Sequence, residues 1–239
     1  MEYKNNYPFD MPQYGGQDFS LTQRVNAVMK GVYLRMTFGL LLTAVISLFA
    51  FSQGFVMFMA SHPFIYWGLF IAEIGIAIGM SAGISKMKAS TATMLFYLFA
   101  AINGLALSMI FAIYTMASIA QTFFITAGTF GAMSIFGYTT KQDLSKIGSF
   151  LYMALIGLII ATVVNLFWPN GTLGWIISFA GVIIFIGLTA WDTQQVKRMA
   201  EAMPASAAGH IATLGALNLY LDFINLFLYL LRFFGSSRD

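Results

Sequence analysis

Three acidic residues, Glu73, Asp192 and Asp222, lie inside long apolar segments of this sequence. A charged side chain at the middle of a membrane helix costs about 2.5 to 3.5 kcal/mol on insertion scales, whereas a leucine or phenylalanine there gains only about 0.3 to 0.6 kcal/mol. Acids in such segments therefore indicate a partner or a function. Carboxyl groups held away from lipid can bind protons or hard cations.

Asp222 lies near the end of the chain, in the segment LNLYLDFINLFLYLLRFF. It is twelve residues from both His210 and Phe234, which places it about 18 Å from either end of a helix. Polar residues at intervals of four, three, four and three form one stripe: Asn218, Asp222, Asn225, Tyr229 and Arg232. This stripe predicts a helix inside a bundle. The alternative is a structural role, in which Asn and Asp side chains only hold helices together.

Asp192 lies in LTAWDTQQVKRM, four residues before the predicted end of the sixth apolar segment at Val196. A short connection follows, so the sixth and seventh segments predict an antiparallel hairpin that could bring Asp192 and Asp222 together. With these boundaries, Asp222 lies several ångströms farther than Asp192 from the end at which the two helices are connected. Contact between the two side chains therefore requires the sixth helix to end later or the seventh to begin later. The alternative is an interfacial acid paired with Lys197 or Arg198.

The elements that hold these acids follow from an apolar composition. Of 239 residues, 59% are hydrophobic and 9% are charged, which is too little polar surface for a soluble globule. Apolar runs of about 18 to 25 residues match helices that cross a hydrocarbon core about 30 Å thick, and not the shorter strands of a barrel. We therefore expect an all-α integral membrane protein with seven spans: Met36–Phe55, Phe64–Ile84, Thr91–Tyr114, Ile119–Tyr138, Ile147–Trp168, Leu173–Val196 and Ile211–Phe234.

The spans divide the chain into three parts. Residues 1–31 are predicted to be a flexible polar cytoplasmic tail, residues 32–235 the seven-helix transmembrane domain and residues 236–239 a short C-terminal tail. The first twenty residues lack the apolar core of a signal peptide. The absence of cysteine excludes disulfides and thiolate metal sites.

Basic residues lie before the first span and after the second, fourth and sixth, whereas the connections VMFMASHP, TMAS and WPNGT contain none. The positive-inside rule therefore predicts a cytoplasmic N-terminus and a C-terminus on the other side, although Arg232 and Arg238 at that far end depart from the rule. The net charge of +3 is spread among the spans and indicates topology, not nucleic-acid binding. Compact tails favour a bacterial cytoplasmic (inner) membrane over the endoplasmic reticulum.

Two further groups of residues in the spans bear on packing and permeation. Glu73 lies near the middle of the second span and could be a third acid on the ion route, joined by Asn103 and Asn165; the alternative is a hydrogen bond that packs helices. Three glycines at four-residue spacing in this span predict close approach of a neighbouring helix: Gly75, Gly79 and Gly83. His62 and His210 are predicted to be interfacial.

The closing stretch LNLYLDFINLFLYLLRFFG, together with WDTQQVKRM and with GLALSMIFAIY in the third span, resembles the Bax inhibitor-1 family, also called the transmembrane Bax inhibitor motif family. The resemblance covers nearly the whole chain after Thr22. It implies a seven-helix fold with the C-terminal helix surrounded by the other six, and a pH-sensitive calcium leak channel through the bundle.

The resemblance also implies roles for particular residues. In the family, an aspartate at the end of the sixth helix and one in the middle of the seventh form a hydrogen-bonded pair that acts as pH sensor and gate, and Asp192 and Asp222 match them. A basic residue from the cytoplasmic end of the second helix can latch onto that pair. Here GISKMKAS offers Lys86 or Lys88, and lysine lacks the planar fork needed for a bidentate grip.

General electrostatics supports a sensor role for two carboxyl groups in one site. They do not both ionise easily in a low dielectric, so small changes of pH would alter the charge of the pair. The ionised pair offers hard oxygen ligands to calcium and also binds a lysine more firmly, and a shared proton weakens both interactions. The direction of the pH response is therefore open. We expect calcium as the transported or bound ion, a pathway that includes Glu73, Asn218 and Asn225, and no cofactor.

Three other functions are alternatives to a leak. An intramembrane aspartyl protease would also use two acids on neighbouring helices, but the chain has no Gly-x-Gly-Asp, Gly-x-Ser-x-Gly or His-Glu-x-x-His, so we expect no enzyme. A regulatory membrane protein would act through contacts with a membrane-protein partner, such as a cell-death factor or a membrane protease. A cation/proton antiporter would couple ion exchange to stoichiometric proton flow.

Overall fold

The chain is helical, and no strand forms within residues 14–238, which are the residues that this computed structural model describes. The α-helices of this range are α1 (Tyr14–Ser52), α2 (Phe55–Ser61), α3 (Pro63–Gly83), α4 (Ala89–Leu107), α5 (Ile110–Ile113), α6 (Met116–Thr139), α7 (Ser145–Phe167), α8 (Gly171–Ala202) and α9 (Ala208–Phe234). Seven segments of the described range are long and apolar enough to cross a membrane, with α4 and α5 forming one of them. The predicted all-α fold with seven spans is confirmed.

Helix α9 lies at the centre of the bundle. Its residues contact α1, α3, α4, α6 and α8. In the apolar stretch of this last span, 67% of the residues are buried, against 6% in that of α3. One face packs with α1 and α4 through Leu217, Tyr220 and Phe223. The other packs with α7 and α8 through Leu226 and Leu230. The prediction of a C-terminal helix packed among the others is therefore confirmed.

Helix α1 begins within the segment that the sequence analysis assigns to a flexible tail. Residues 1–13 of that tail lie outside the described residues, but the backbone is helical from Tyr14 onwards. Val25, Val28 and Val32 are buried in the main hydrophobic cluster, because their spacing of three and four residues aligns them on one helical face. Arg24 donates to the carbonyls of Ala200 and Glu201 at the end of α8. Residues 14–31 therefore differ from the flexible tail that was expected.

The chain end beyond α9 is attached to the connection between α5 and α6. The N–H of Thr115 donates to the carbonyl of Ser236, and the N–H of Arg238 donates to the carbonyl of Ile113. The Arg238 guanidinium donates to the carbonyl of Phe111 and lies over the ring of Phe51 at 5.7 Å. This arginine, which departs from the positive-inside pattern, is thus paired with protein groups.

Close helix packing occurs where α6 meets α8, and not along α3. A Cβ atom at Gly137 of α6 would overlap the backbone carbonyl of Ala190 in α8, two residues before Asp192. By contrast, Gly75 and Gly79 of α3 have no atom within 4 Å of an added Cβ. The prediction of close packing at these two glycines is wrong, because α3 lies at the edge of the bundle.

The connection between α6 and α7 is held by polar side chains of α8. Gln194 accepts a hydrogen bond from the N–H of Leu144 and donates one to the carbonyl of Gln142. Arg198 forms an ion pair with Asp143 at 2.7 Å. These contacts fix the end of α8 that carries Asp192.

We expect Gly137→Ala to destabilise the protein, because its methyl group would overlap the Ala190 carbonyl and force α6 away from α8. Overpacking of this kind costs about 1 to 3 kcal/mol or more. Gly128→Ala is the matched control on the same helix, since nothing lies within 4 Å of its added Cβ and alanine favours the helix. Thermal unfolding of both variants in detergent measures the difference. Equal melting temperatures would contradict the packing described.

We expect Asp143 to stabilise the connection between α6 and α7 only while it is ionised. The N–H and hydroxyl of Ser145 and the guanidinium of Arg198 hold the pKa of Asp143 at about 2, below its ordinary 3.8. Because the pKa is lowered in the folded state, the stabilising effect is complete above pH 4 and is lost as pH falls towards 2. The melting-temperature difference between the wild type and Asp143→Asn should therefore stay constant from pH 7 to 5 and shrink below about pH 4. A difference that is the same at pH 6 and pH 3 would contradict this.

Candidate functional site

The side chains of Asp192 on α8 and Asp222 on α9 form a pair that lines one cavity. Both residues are 4% exposed. Two carboxyl groups can share a hydrogen bond only when one of them carries a proton, since an ionised carboxylate has only acceptors. A hydrogen bond between these two carboxyl groups would therefore require a proton on one of them.

Few other protein groups satisfy the oxygens of this pair. Asn218, one turn before Asp222, approaches Oδ1 of Asp192 with its Nδ2 at 3.5 Å. Within the described residues, no donor reaches the buried Oδ2 of Asp222. Buried polar atoms usually have a hydrogen-bond partner. An oxygen left in this way is suited to bind a proton, a water molecule or a cation.

The pair lines a cavity of about 250 Å³ between α7, α8 and α9. Four residues of the stripe on α9 line it together, namely Asn218, Asp222, Asn225 and Tyr229. Tyr152 of α7 closes the cavity from the other side and packs edge-on against Trp191 at 5.2 Å. The cavity thus combines carboxyl, amide and phenol groups with an apolar wall.

The helix ends explain how the two aspartates meet. Helix α8 continues to Ala202, six residues beyond the expected end at Val196. Asp192 lies ten residues before that end and Asp222 fourteen residues after the start of α9, which corresponds to about 15 and 21 Å along the two axes. The remaining difference between these two axial distances can be spanned by a tilt of the helices together with the lengths of the two side chains. The later end of α8 supplies the condition that the sequence analysis set for contact.

Glu73 lies on another side of α9. Its Oε1 accepts a hydrogen bond from Nδ2 of Asn103 at 3.2 Å, and Oδ1 of Asn103 accepts one from the hydroxyl of Tyr220 at 3.0 Å. Tyr220 also contacts the hydroxyl of Thr43 at 2.6 Å. Because Tyr220 and Asp222 are two residues apart on a helix, they point in nearly opposite directions. The structure therefore does not bring Glu73 into the aspartate cavity.

The basic residues considered as partners of the aspartates lie elsewhere. Lys86 and Lys88 are exposed in the connection between α3 and α4. Among residues 20–238, the only ion pair is that of Arg198 with Asp143. Lys197 donates to the carbonyl of Tyr138 at 2.9 Å. Neither the lysine latch nor pairing of Asp192 with Lys197 or Arg198 is present in this conformation.

The remaining polar residues named from the sequence lie near the ends of helices. Asn165, at the end of α7, accepts a hydrogen bond from the N–H of Asn170 and is not near Glu73's partner Asn103. His62 follows α2 and is half-buried. His210 forms a hydrogen bond through Nε2 with the carbonyl of Met87.

Several residues of these two sites escaped the sequence analysis. Tyr152 completes the aspartate cavity, while Thr43 and Tyr220 complete the Glu73 network. A single hydroxyl residue in an apolar helix gives no pattern that distinguishes a site from ordinary packing. Among the partners of Glu73, only Asn103 could be named from the sequence, because it is an amide inside an apolar span.

The chemistry available to the aspartate cavity is proton exchange and binding of a hard cation. Calcium prefers six to eight oxygen ligands, and the cavity offers two carboxyl groups, two amides and two phenols. No group of three or more His, Cys, Asp or Glu residues suited to a metal occurs in the described part of the chain. These ligands therefore suit a cation that binds weakly or passes through, more than a cation that is held permanently.

Comparisons with known proteins identify the family of this chain. The family model described as "Inhibitor of apoptosis-promoting Bax1" matches residues 25–239. The chain is 50% identical to the inner membrane protein YbhL of Escherichia coli K12 over 214 residues, which are 88% of this chain and 92% of that protein.

Two relatives from other bacteria are also similar over most of their length. A protein of Borreliella burgdorferi is 43% identical over 90% of this chain and 94% of its own. A membrane protein of Streptococcus pyogenes serotype M3 is 36% identical over 89% of this chain and 94% of its own. Together with the family match, these similarities mean that the chain is an integral membrane protein that belongs to the Bax inhibitor-1 family.

Proposed function

We propose that this protein is a pH-sensitive calcium leak channel in which the Asp192 and Asp222 pair acts as proton sensor and gate. The observation that carries the proposal is the placement of two buried carboxyl groups from neighbouring helices at one cavity. Intramembrane acids are costly, and this pair retains an oxygen that no donor of the described residues satisfies. A purely structural pair would gain by satisfying that oxygen.

The gate works through electrostatic repulsion in this proposal. With one shared proton, the two carboxyl groups attract each other and hold α8 against α9. When the proton leaves, two negative charges remain at hydrogen-bonding distance in a low dielectric, where their repulsion is far larger than in water. The pair then separates or recruits a cation. Calcium supplies two positive charges and accepts carboxylate and amide oxygens as ligands.

The pathway in this proposal follows the stripe on α9 and not the second span. Asn218 and Asn225 line the same cavity as the pair and supply amide oxygens. Glu73 serves the hydrogen-bond network with Asn103 instead. We assign the protein no catalytic activity and no cofactor, and we place it in a bacterial inner membrane with its N-terminus in the cytoplasm, as the name of the Escherichia coli relative and the positive-inside rule suggest.

We expect calcium flux through the protein to depend on pH, and Asp222→Asn or Asp192→Asn to remove most of that dependence. An asparagine cannot take up or lose the proton, so the pair loses its titration. Purified protein in liposomes that contain a calcium dye, assayed from pH 5 to 8, measures this flux. The wild type should exceed empty liposomes and vary several-fold over that range.

Glu73→Gln is the matched control, because it removes another intramembrane acid that lies outside the cavity. It should keep the pH dependence of the wild type. Equal flux from empty liposomes and every variant would remove the leak. The same altered pH profile in Glu73→Gln and Asp222→Asn would remove the assignment of the sensor to the pair.

We expect calcium to bind more tightly as pH rises. Protons and calcium compete for the same carboxyl oxygens, and no lysine competes with them in the described conformation. Equilibrium binding of radioactive calcium to purified protein at pH 5.5, 6.5 and 7.5 measures the trend, and Asp192→Asn should weaken binding at the highest pH most. Binding that is tightest at pH 5.5 would contradict this direction.

A second candidate function is regulation through protein contacts, favoured by the description of the matching family as an inhibitor of apoptosis-promoting Bax1. The aspartates would then serve only stability. Asp222→Asn would then leave the effect on a partner intact, even where it removes the pH dependence of calcium flux. A cation/proton antiporter differs from both, because it would move protons in fixed ratio to calcium, which a pH dye inside the same liposomes detects.

A further inference from the structure

A second cavity, of about 440 Å³, lies between the end of α7, the start of α8 and the end of α9. It is lined by side chains that include Asn165, Asn170, Trp175, Ser178, Arg232 and Phe233. None of them lines the aspartate cavity. Because α8 and α9 are antiparallel, this cavity lies at the end of the hairpin opposite to its connection.

Arg232 brings to this cavity a positive charge that no acidic side chain of the described residues neutralises. It is exposed, and within the described residues no hydrogen bond or ion pair of its guanidinium group is found. Arg238, near the same end of the bundle, differs because its guanidinium donates to the carbonyl of Phe111. A guanidinium at this membrane end is therefore free to bind a ligand.

Asn165 adds a second donor with a fixed orientation. Its Oδ1 accepts the N–H of Asn170 at 2.9 Å, so the amide must present Nδ2 in the other direction. A Cβ atom at Gly174 would lie 3.4 Å from Nη2 of Arg232 and 3.5 Å from Nδ2 of Asn165. Two N–H donors from different helices thus converge on one space, which is open because residue 174 has no side chain.

The surroundings define the kind of ligand. No residue that lines the cavity carries a carboxylate, and the hydroxyl of Ser178 already donates to the carbonyl of Gly174. Trp175 is 59% exposed and belongs to a residue type that is enriched at the lipid–water interface, and Phe233 packs edge-on against it. A planar guanidinium and an amide together match the oxygens of a phosphate group.

We propose that this cavity binds a phosphate group at the membrane surface, with Arg232 and Asn165 as its donors over Gly174. The phosphate can belong to a phospholipid headgroup or to the free ion. The cavity has the volume of a site for a small molecule and lies beside exposed aromatic side chains, so a headgroup would use both its polar and its apolar walls.

Two probes separate these sources. Native mass spectrometry of purified protein with phosphatidylglycerol measures bound lipid, and titration calorimetry with inorganic phosphate measures the free ion. Arg232→Gln and Asn165→Leu should weaken binding of the relevant probe about tenfold or more, since each removes a hydrogen bond to a charged group. Arg232→Lys keeps the positive charge but lacks the planar guanidinium. Its affinity for the probe should lie between the affinities of these two variants and that of the wild type.

Matched variants separate binding from folding. Gly174→Ala fills the space above the donors with only ordinary van der Waals contacts and should also weaken binding. Gly157→Ala adds the same methyl group where nothing lies within 4 Å, and Lys146→Gln removes the same charge from an exposed position at the other end of α7. Both controls should bind like the wild type.

The results assign or remove the site. Loss of phosphatidylglycerol binding in the three cavity variants supports a headgroup site, and loss of inorganic phosphate binding alone supports a site for the free ion. Equal binding by the wild type, Arg232→Gln and Gly174→Ala, or no binding of either probe to the wild type, overturns the proposal. The measurements use no calcium, so they succeed or fail independently of the proposed leak.

Discussion

The carboxyl groups of Asp192 and Asp222 must be kept from acyl chains, and the placement of the helices answers that requirement. A lone charge in hydrocarbon costs several times what any single apolar side chain gains there. Burial between helices removes both acids from lipid, since each is only 4% exposed. Helix α9 carries the polar stripe, and it is also the helix with the largest buried share. The apolar outer helices can face lipid because they carry no comparable stripe.

Helix α9 separates two polar systems that differ in how well they are satisfied. On one side, Glu73, Asn103, Tyr220 and Thr43 form a continuous hydrogen-bonded chain through α3, α4, α9 and α1. On the other, the aspartate pair faces a cavity and leaves an oxygen with few donors. A fully satisfied polar network rigidifies the elements that it joins. The first system therefore holds α9 against α1, α3 and α4, whereas the second leaves a carboxyl oxygen without a donor from the described residues.

Much of this arrangement could be predicted from the sequence, because the signals were long or repeated. Apolar runs predicted the spans, and the stripe of Asn218, Asp222 and Asn225 predicted an interior helix. Helix ends were less predictable: α8 continues to Ala202 because Gln194 and Arg198 bind the neighbouring connection, and such contacts join residues far apart in the chain. The residues that pack against one another could not be predicted either, because they too are far apart in the chain. The glycines of α3 had the right spacing, but the close approach occurs at Gly137, whose sequence surroundings do not indicate it.

The central helix α9 is also the last of the seven described spans along the chain, and this order bears on how the bundle assembles. When spans enter the membrane in chain order, six of them are inserted before the helix that fills their middle. Until then the acid on α8 lacks its partner carboxyl, and the inner faces of the earlier helices have only lipid or one another to contact. The native bundle can therefore form only after α9 has entered, when residues 236–238 pair with the connection at Tyr114. A polypeptide shortened by a few dozen residues would keep six apolar spans and lose its interior.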